Sequence, residues 1–442
     1  MKIFVLFDEN GRHIEPGAEP EQCPVESSPD RLVTGLKAGQ DRLRAASLDD
    51  LIGLCDAASR AWTDPRNDVG RMVANLGIGF LPLWLRRGNL EQVAQQALRG
   101  DGASMDKFVP LAQSGNRKHR AQPRGLLVHW VAGNVPLLGM ISVIQGLLTK
   151  NANLVKVSRQ NAGILPFFLE ALSIVRYRRA DGQEITGELL TGAVRAIYTD
   201  REDTEAASAL SALADVRVAW GGREAVEAIM NLPRRFGTED IVFGPKTSFV
   251  VIGAEKLADQ AGARQVASLV ARDTVALGQR GCNSPHTIFV ERGGGVGPSE
   301  FAALLGEELG RVAASVPADV VAQESFQILS WRAEYDMRGE AWYDGGVRWT
   351  VLYSDEDRGL ATPCYGRTLF VRPVNDAFEV AALCSINTQT AGLALGERRL
   401  QLAEAITARG VERCPEVGRM SLYEAPWDGM YPMDRMVRWV SA

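Results

Sequence analysis

Gly278-Gln279-Arg280-Gly281-Cys282-Asn283-Ser284-Pro285-His286, followed by Thr287-Ile288-Phe289-Val290, is the point around which the chain is organised. A helix-like run from Ala263 to Leu277 enters it and a β-rich run leaves it. Between them one cysteine is flanked by small and turn-forming residues that let the backbone bend sharply. A structural cysteine would sit inside a periodic apolar segment. Cys282 sits at a junction, where a thiol can face a cleft. A thiolate is the better nucleophile, and nearby amide dipoles or cations favour it. Arg280 supplies such a charge in the sequence. A cysteine after glycine does not by itself separate a nucleophile from a turn residue, so the surroundings must decide.

From Gly125 onward, strand and helix alternate. The strand candidates are Leu126–Val131, Asn153–Val157, Val194–Tyr198, Val216–Trp220 and Thr247–Ile252. Helices are predicted between them at Pro136–Leu148, Gly163–Ile174, Thr204–Leu213 and Glu224–Asn231. That rhythm predicts an α/β fold with a mainly parallel, covered sheet. Before it, Met1 to Asp8 reads as a short strand, and residues 31–120 as mostly helical. Beyond Cys282 the pattern is looser: helix Ser299–Ser315, strand Thr368–Val374, helix Ala377–Ser385, strand Thr388–Leu395 and a terminal strand Met436–Val440. Gly293–Pro298 reads as a flexible surface spacer, because no helix-opening Lys-Ser/Thr follows to make it a phosphate cradle.

Three further constellations carry chemistry. In Val216–Val226 a strand ends at Trp220-Gly221-Gly222 and a helix starts; uncapped amides there suit a pyrophosphate, though a plain strand-to-helix turn also favours glycine. In Asn153–Arg159, Lys156 and Ser158 share one strand face near its carboxyl end, where nucleotides bind in open α/β sheets; Arg159 adds a planar fork suited to a 2′-phosphate. Solvated charges past a strand end are the alternative. In His129–Pro136, Asn134 could aim its amide at a developing oxyanion, or satisfy its own turn. His129 reads as a packed, hydrogen-bonded residue.

Composition narrows the class. The chain has 442 residues and a formal net charge of −5 with no basic block, which argues against nucleic-acid binding by phosphate neutralisation. Six cysteines without a CxxC pair and only four histidines predict no metal site and a reducing, cytoplasmic setting. The uncharged run between Arg124 and Lys150 has the length of a bilayer span, but His129, Gly133, Asn134 and Pro136 interrupt it; no membrane span is expected.

In this order the pieces resemble the aldehyde dehydrogenase superfamily. Asn134-Val135-Pro136 resembles its Asn-Phe-Pro turn, Val155-Lys156-Val157-Ser158 its Lys-Pro-Ser strand, Trp220-Gly221-Gly222 its cofactor turn, Gly278-Gln279 before Cys282 its nucleophile turn, and Tyr365-Gly366 its Phe-Gly. Ala132 to Gly139, Ala219 to Gly222, Cys282 to Pro285, Trp427 to Met430 and Met436 to Val440 resemble the acyl-CoA reductases of bacterial luciferase operons, the LuxC-like family. The resemblance implies an aldehyde dehydrogenase-like fold: a helical region and Rossmann-like cofactor domain over residues 1–243, a catalytic α/β domain over 244–420 and a tail over 421–442. It implies that Cys282 accepts an acyl group from acyl-CoA or an acyl-carrier thioester, with Asn134 stabilising the oxyanion. Lys156, Ser158, Arg159, Trp220, Gly221 and Gly222 would bind the cofactor, whose hydride gives the aldehyde. Arg159 stands where NAD-preferring members carry an acid, which implies NADPH. Two departures matter. Val242 replaces the general-base Glu of the oxidising members, disfavouring hydrolysis of a thioester on Cys282, with Glu239 as a nearby substitute. Pro363 replaces a ribose-binding Glu. The resemblance also implies a homo-oligomer, through an apolar terminal strand otherwise unpaired, and an acyl-transfer partner enzyme. The alternatives are an NAD(P)-dependent aldehyde dehydrogenase working oxidatively and a non-catalytic acyl-transfer subunit.

Overall fold

In the computed structural model, which describes residues 1–442 apart from 76–78, 113–114, 132, 134–136 and 317–319 (and the side chains of Leu137 and Leu138), the alternating runs become two parallel sheets. The chain divides into two compact units: Met1–Ala74, Gly79–Gly244 and Glu424–Ala442 form the first, and Pro245–Tyr423 builds the second.

In the first unit, strands β1 (Ile3–Asp8), β2 (Leu126–Trp130), β3 (Ala152–Lys156), β4 (Val194–Tyr198), β5 (Val216–Trp220) and β6 (Glu239–Phe243) lie in the order β6-β5-β2-β3-β4-β1. The five strands from β2 to β6 are parallel and β1 joins antiparallel to β4. Leu126, Val128 and Trp130, two residues apart, face one core with Leu32 and Leu36 of helix α1 (Pro29–Ala45). Helix α2 (Leu137–Leu148) carries no charge and is buried from Met140 to Leu148, which accounts for the uncharged run. No helix among the described residues is long and apolar enough to cross a membrane. Further helices are α3 (Ile164–Ser173), α4 (Thr204–Leu213) and α5 (Arg223–Met230).

The second unit holds β7 (Thr247–Ile252), β8 (Pro285–Glu291), β9 (Glu340–Tyr343), β10 (Thr350–Tyr353), β11 (Thr368–Val374) and β12 (Thr388–Ala394) in the order β9-β10-β11-β8-β7-β12, with only β9 antiparallel among the paired neighbours. Helices α6 (Gln260–Val275) and α7 (Pro298–Ala313) cover one face through Val266, Val270, Phe301 and Leu305. Helix α8 (Ala322–Arg338) packs Ile328 and Tyr335 against Leu352 and Phe370.

Three expectations change. The terminal strand, Val437–Ser441, is not unpaired: it runs antiparallel to Lys118–Pro123, within a three-stranded sheet. Gly293–Pro298 is not a loose spacer. The Val296 side chain is buried, its N–H bonds the Leu257 carbonyl at 2.9 Å, and a Cβ on Gly295 would lie 2.1 Å from the Ala258 carbonyl oxygen. Glycine is needed there for close backbone approach. Finally, Ala377–Leu383 is a 3₁₀ rather than an α-helix.

Candidate active site

The cysteine turn is built from unusual backbone. Helix α6 stops at Val275, and Leu277, Gly278 and Gln279 follow with φ of 55°, 60° and 62°, all left-handed. For the two non-glycine residues this conformation costs roughly 1–2 kcal/mol each. The fully buried side chain of Gln279 offsets that cost. Its amide donates to the carbonyls of Pro285 and Thr368, both at 2.9 Å, and its oxygen accepts from the Thr368 N–H at 3.0 Å. A second left-handed triplet, Tyr365, Gly366 and Arg367, ends directly before Thr368. One amide thus ties both turns to the amino ends of β8 and β11.

Cys282 follows at this amino edge. It is half-buried, whereas its neighbours Asn283 and Ser284 are buried. The Ser248 hydroxyl of β7 donates to the Cys282 carbonyl at 2.6 Å and accepts from the Thr390 N–H of β12 at 3.1 Å. Asn283 donates to the Met420 carbonyl at 2.8 Å. The segment bearing Met420 is held by Asp273 of α6, which accepts from the N–H groups of Gly418 and Met420. Burial raises the Asp273 carboxyl to about 6 against the opposing pull of those bonds. The Gln389 side-chain amide, on β12, donates to the Cys282 sulfur at 3.0 Å. Arg280 pairs with Glu324 of α8 at 2.8 Å. By contrast, burial pushes the thiols of Cys364, Cys384 and Cys414 up to about 11 and that of Cys55 to about 12, which keeps them unreactive.

The remaining expected residues lie on the first unit, apart from Asn134, which falls outside the described residues. The parallel strands there reverse direction of addition between β2 and β5, and the carboxyl ends of such strands form the crevice that takes nucleotides. Trp220, at the end of β5, stacks on Phe243 with ring centroids 3.6 Å apart. Gly222 is the N-cap of α5, without a side-chain cap, and a Cβ there would meet open space. Lys156 ends β3; burial lowers its ammonium from the usual lysine value, with Asp200 opposing. The Ser158 hydroxyl and the Trp220 indole N–H are buried without a hydrogen-bond partner. Two orphaned polar atoms, a half-buried cation and an uncapped helix start suit a nucleotide's hydroxyls and phosphates.

Arg159 is exposed and pairs with Glu19 at 2.8 Å, with Glu21, and with Asp200 at 3.5 Å. Glu239 is bound by Arg435, and by Arg124 at 3.3 Å, which takes it out of consideration as a base. His129 is buried between Ser142 and Asn153, and burial lowers it to about 4, so it stays neutral. Sequence reading missed Gln389, Ser248 and the clamp of Gln279. A signal existed for the first: Thr388-Gln389-Thr390 opens a seven-residue strand that is buried throughout, and a buried polar run needs a partner.

The family profile of the acyl-CoA reductases (LuxC) matches residues 43–439. The chain belongs to that family. Among its relatives, the long-chain acyl-protein thioester reductase of Vibrio harveyi is 29% identical over 76% of this chain and 67% of its own length. The enzyme of the same name from Photorhabdus laumondii is 28% identical over 80% and 70%. The fold is aldehyde dehydrogenase-like. A benzaldehyde dehydrogenase from Corynebacterium glutamicum superimposes with a TM-score of 0.60 at 13% identity, over 100% of this chain and 98% of that one. Lactaldehyde dehydrogenase from Escherichia coli gives 0.61 at 12%, again over 100% and 98%. Membership makes the LuxC-family chain an acyl thioester reductase, an oxidoreductase.

Proposed function

We propose that this chain reduces an acyl thioester to an aldehyde with NADPH, through an acyl-enzyme on Cys282. The observation that carries the reading is the sulfur of Cys282. It is half-buried on a rigid turn and holds an amide donor, while burial keeps Cys55, Cys364, Cys384 and Cys414 protonated. Cys282 attacks the thioester carbonyl and releases CoA or a carrier thiol. The Cys282 region and the Asn134 amide stabilise the tetrahedral oxyanion. Lys156, Ser158, Trp220, Gly221 and Gly222 hold the nucleotide, which supplies hydride when bound. Val242 leaves its position without a base and Glu239 is committed to arginines, so water is not activated from either, and the thioester persists until it is reduced.

One observation favours a second cofactor. Arg159 lies among Glu19, Glu21 and Asp200, and those carboxylates repel a 2′-phosphate. On that reading NADH is used. The ratio of kcat/KM for NADPH and NADH decides between them, and Glu21→Gln should raise the preference for NADPH.

The names of the Vibrio and Photorhabdus relatives point to an acyl group delivered on a protein, hence to an acyl-transfer partner. The reading includes a cytoplasmic homo-oligomer, testable by light scattering. Incubation with an acyl-CoA mixture and mass spectrometry should place an acyl mass on Cys282. Cys282→Ala should abolish aldehyde formation by at least a thousandfold while nucleotide binding persists. Aldehyde formation by the alanine variant would refute the assignment, and acid formation from aldehyde without CoA would favour the oxidative direction.

A further inference from the structure

We propose that Gln389 is a further catalytic residue, the terminal donor of a directed hydrogen-bond chain that runs from the Arg413 guanidinium through Thr390 to the Cys282 sulfur. This deepens the reading above and rests on Cys282 being the nucleophile.

The chain is short and one-way. Arg413 Nη1 donates to the Thr390 hydroxyl at 3.3 Å. That hydroxyl donates to Gln389 Oε1 at 3.4 Å, and Gln389 Nε2 donates to Cys282 Sγ at 3.0 Å. A guanidinium has no acceptor, so its bond leaves the Thr390 proton for Gln389. That proton in turn fixes which end of the amide faces sulfur, an assignment otherwise ambiguous between oxygen and nitrogen. Thr390 and Gln389 are fully buried and Arg413 is nearly so, so the bonds polarise one another in a medium of low dielectric. Arg413 is itself fixed by the carbonyls of Met420 and Leu422.

Among the described residues, charged side chains near the turn have partners of their own. Arg280 pairs with Glu324 and Lys246 with Glu412. Burial keeps His286 neutral, lowered to about 4. Asp273, whose carboxyl interacts with Arg413, is ionised above about pH 7. Helix α6 leads into the turn with its carboxyl end, where a dipole disfavours an anion.

The step balances. The Cys282 thiol loses its proton to water and the amide N–H stabilises the thiolate. The sulfur's electron pair forms the bond to the acyl carbon, and the carbon–sulfur bond of the departing thiol breaks. That thiol leaves with the pair and takes a proton from water. When the reduced adduct collapses to aldehyde, the pair returns to Cys282 and meets the same donor.

The test is the rate of Cys282 alkylation by iodoacetamide between pH 7 and 10, read by mass spectrometry of the Cys282 peptide in the full-length protein. In Gln389→Leu the profile should move up by about one pH unit, a tenfold loss of thiolate below the midpoint. Thr390→Val, close to isosteric, should move it the same way by about threefold, since it releases the amide without touching sulfur. An unchanged profile in folded variants overturns the proposal. If the variants fail to fold, the wild-type protein still decides: a Cys282 midpoint at or above that of a free thiol overturns it, and one below supports it. Failure of the parent reading looks different, because no acyl mass would then reach Cys282 even where the alkylation profile shifts.

Discussion

Glu291 ends β8 and its carboxylate accepts from the N–H groups of Ala254 and Ala377 at 2.9 and 3.0 Å and from both Arg398 amino groups at 2.9 and 2.6 Å. The Arg398 bonds, with the two backbone donors, hold the carboxyl down at about 2 against the cost of burial. A depressed folded value means that the stabilisation is fully present above about 4.5 and is lost as pH falls through about 2. Glu291→Gln should therefore lower the unfolding free energy at pH 7 by about 3 kcal/mol. Urea melts at pH 7, 4 and 3 should show the difference shrinking toward acid. Single residues differed in how well the sequence revealed them. The turn positions of Cys282 and Gly221-Gly222 were legible because turn chemistry marks them locally. Arg159 was legible as a charge, but its partners Glu19 and Glu21 come from the start of the chain, and sequence spacing carries no information on such a pairing. Gln389 was read only as part of a strand, because its importance lies in which sulfur its amide meets.

The parallel strands were the most legible elements. Val194–Tyr198, Val216–Trp220 and Thr247–Ile252 have the bounds that their largely β-branched, apolar runs predict, although Arg195 and Arg217 are buried within the first two. Helix α8 was not legible. It buries Glu324 and Arg332 and exposes Phe326, Leu329 and Met337, which blurs the 3.6-residue pattern. The two left-handed triplets were also hidden, because Leu277, Gln279, Tyr365 and Arg367 are not residue types that signal that conformation. Gly295, by contrast, is glycine for a packing reason. Gly295→Ala would push a methyl into the Ala258 carbonyl and separate the loop from the end of the 3₁₀ turn Ala254–Leu257. The expected cost is about 1–3 kcal/mol, visible as a lower midpoint in urea with unchanged slope. Leu277→Gly should act in the opposite sense: it removes the left-handed penalty, although the freer unfolded chain returns part of the gain, leaving a change within about 1 kcal/mol.

Across the entire chain, the pairing least visible in the sequence joins its last strand to one in its first third. Val437–Ser441 lies antiparallel to Lys118–Pro123, in register from Val437 opposite Pro123 to Ser441 opposite His119. Nearby contacts reinforce it: Asn151 donates to the Met436 carbonyl at 3.0 Å, and the Arg124 side chain to the Arg435 carbonyl at 2.9 Å. Trp439 donates its indole N–H to Asp434 at 2.7 Å and lies 4.7 Å from the Arg99 guanidinium carbon. Neither segment alternates strongly enough to announce a partner more than three hundred residues away, so the sequence showed a strand and left its neighbour open. The contribution of the strand follows from its parts. Burying Val437 gives about 1.5–2 kcal/mol, and the cation–π contact and indole bond add about 1 kcal/mol each. Removing residues 437–442 should thus cost about 4 kcal/mol and lower the melting temperature by about 4 °C. It also strips the covering strand from Lys118–Pro123, and an exposed strand edge templates association between copies. Trp439→Ala separates the two effects, because it removes the side-chain contacts and leaves the backbone pairing. The truncated chain should both melt early and scatter light at temperatures well below its midpoint, whereas Trp439→Ala should melt early without scattering. Equal scattering from both would mean that the strand's side chains, rather than its backbone, protect that edge.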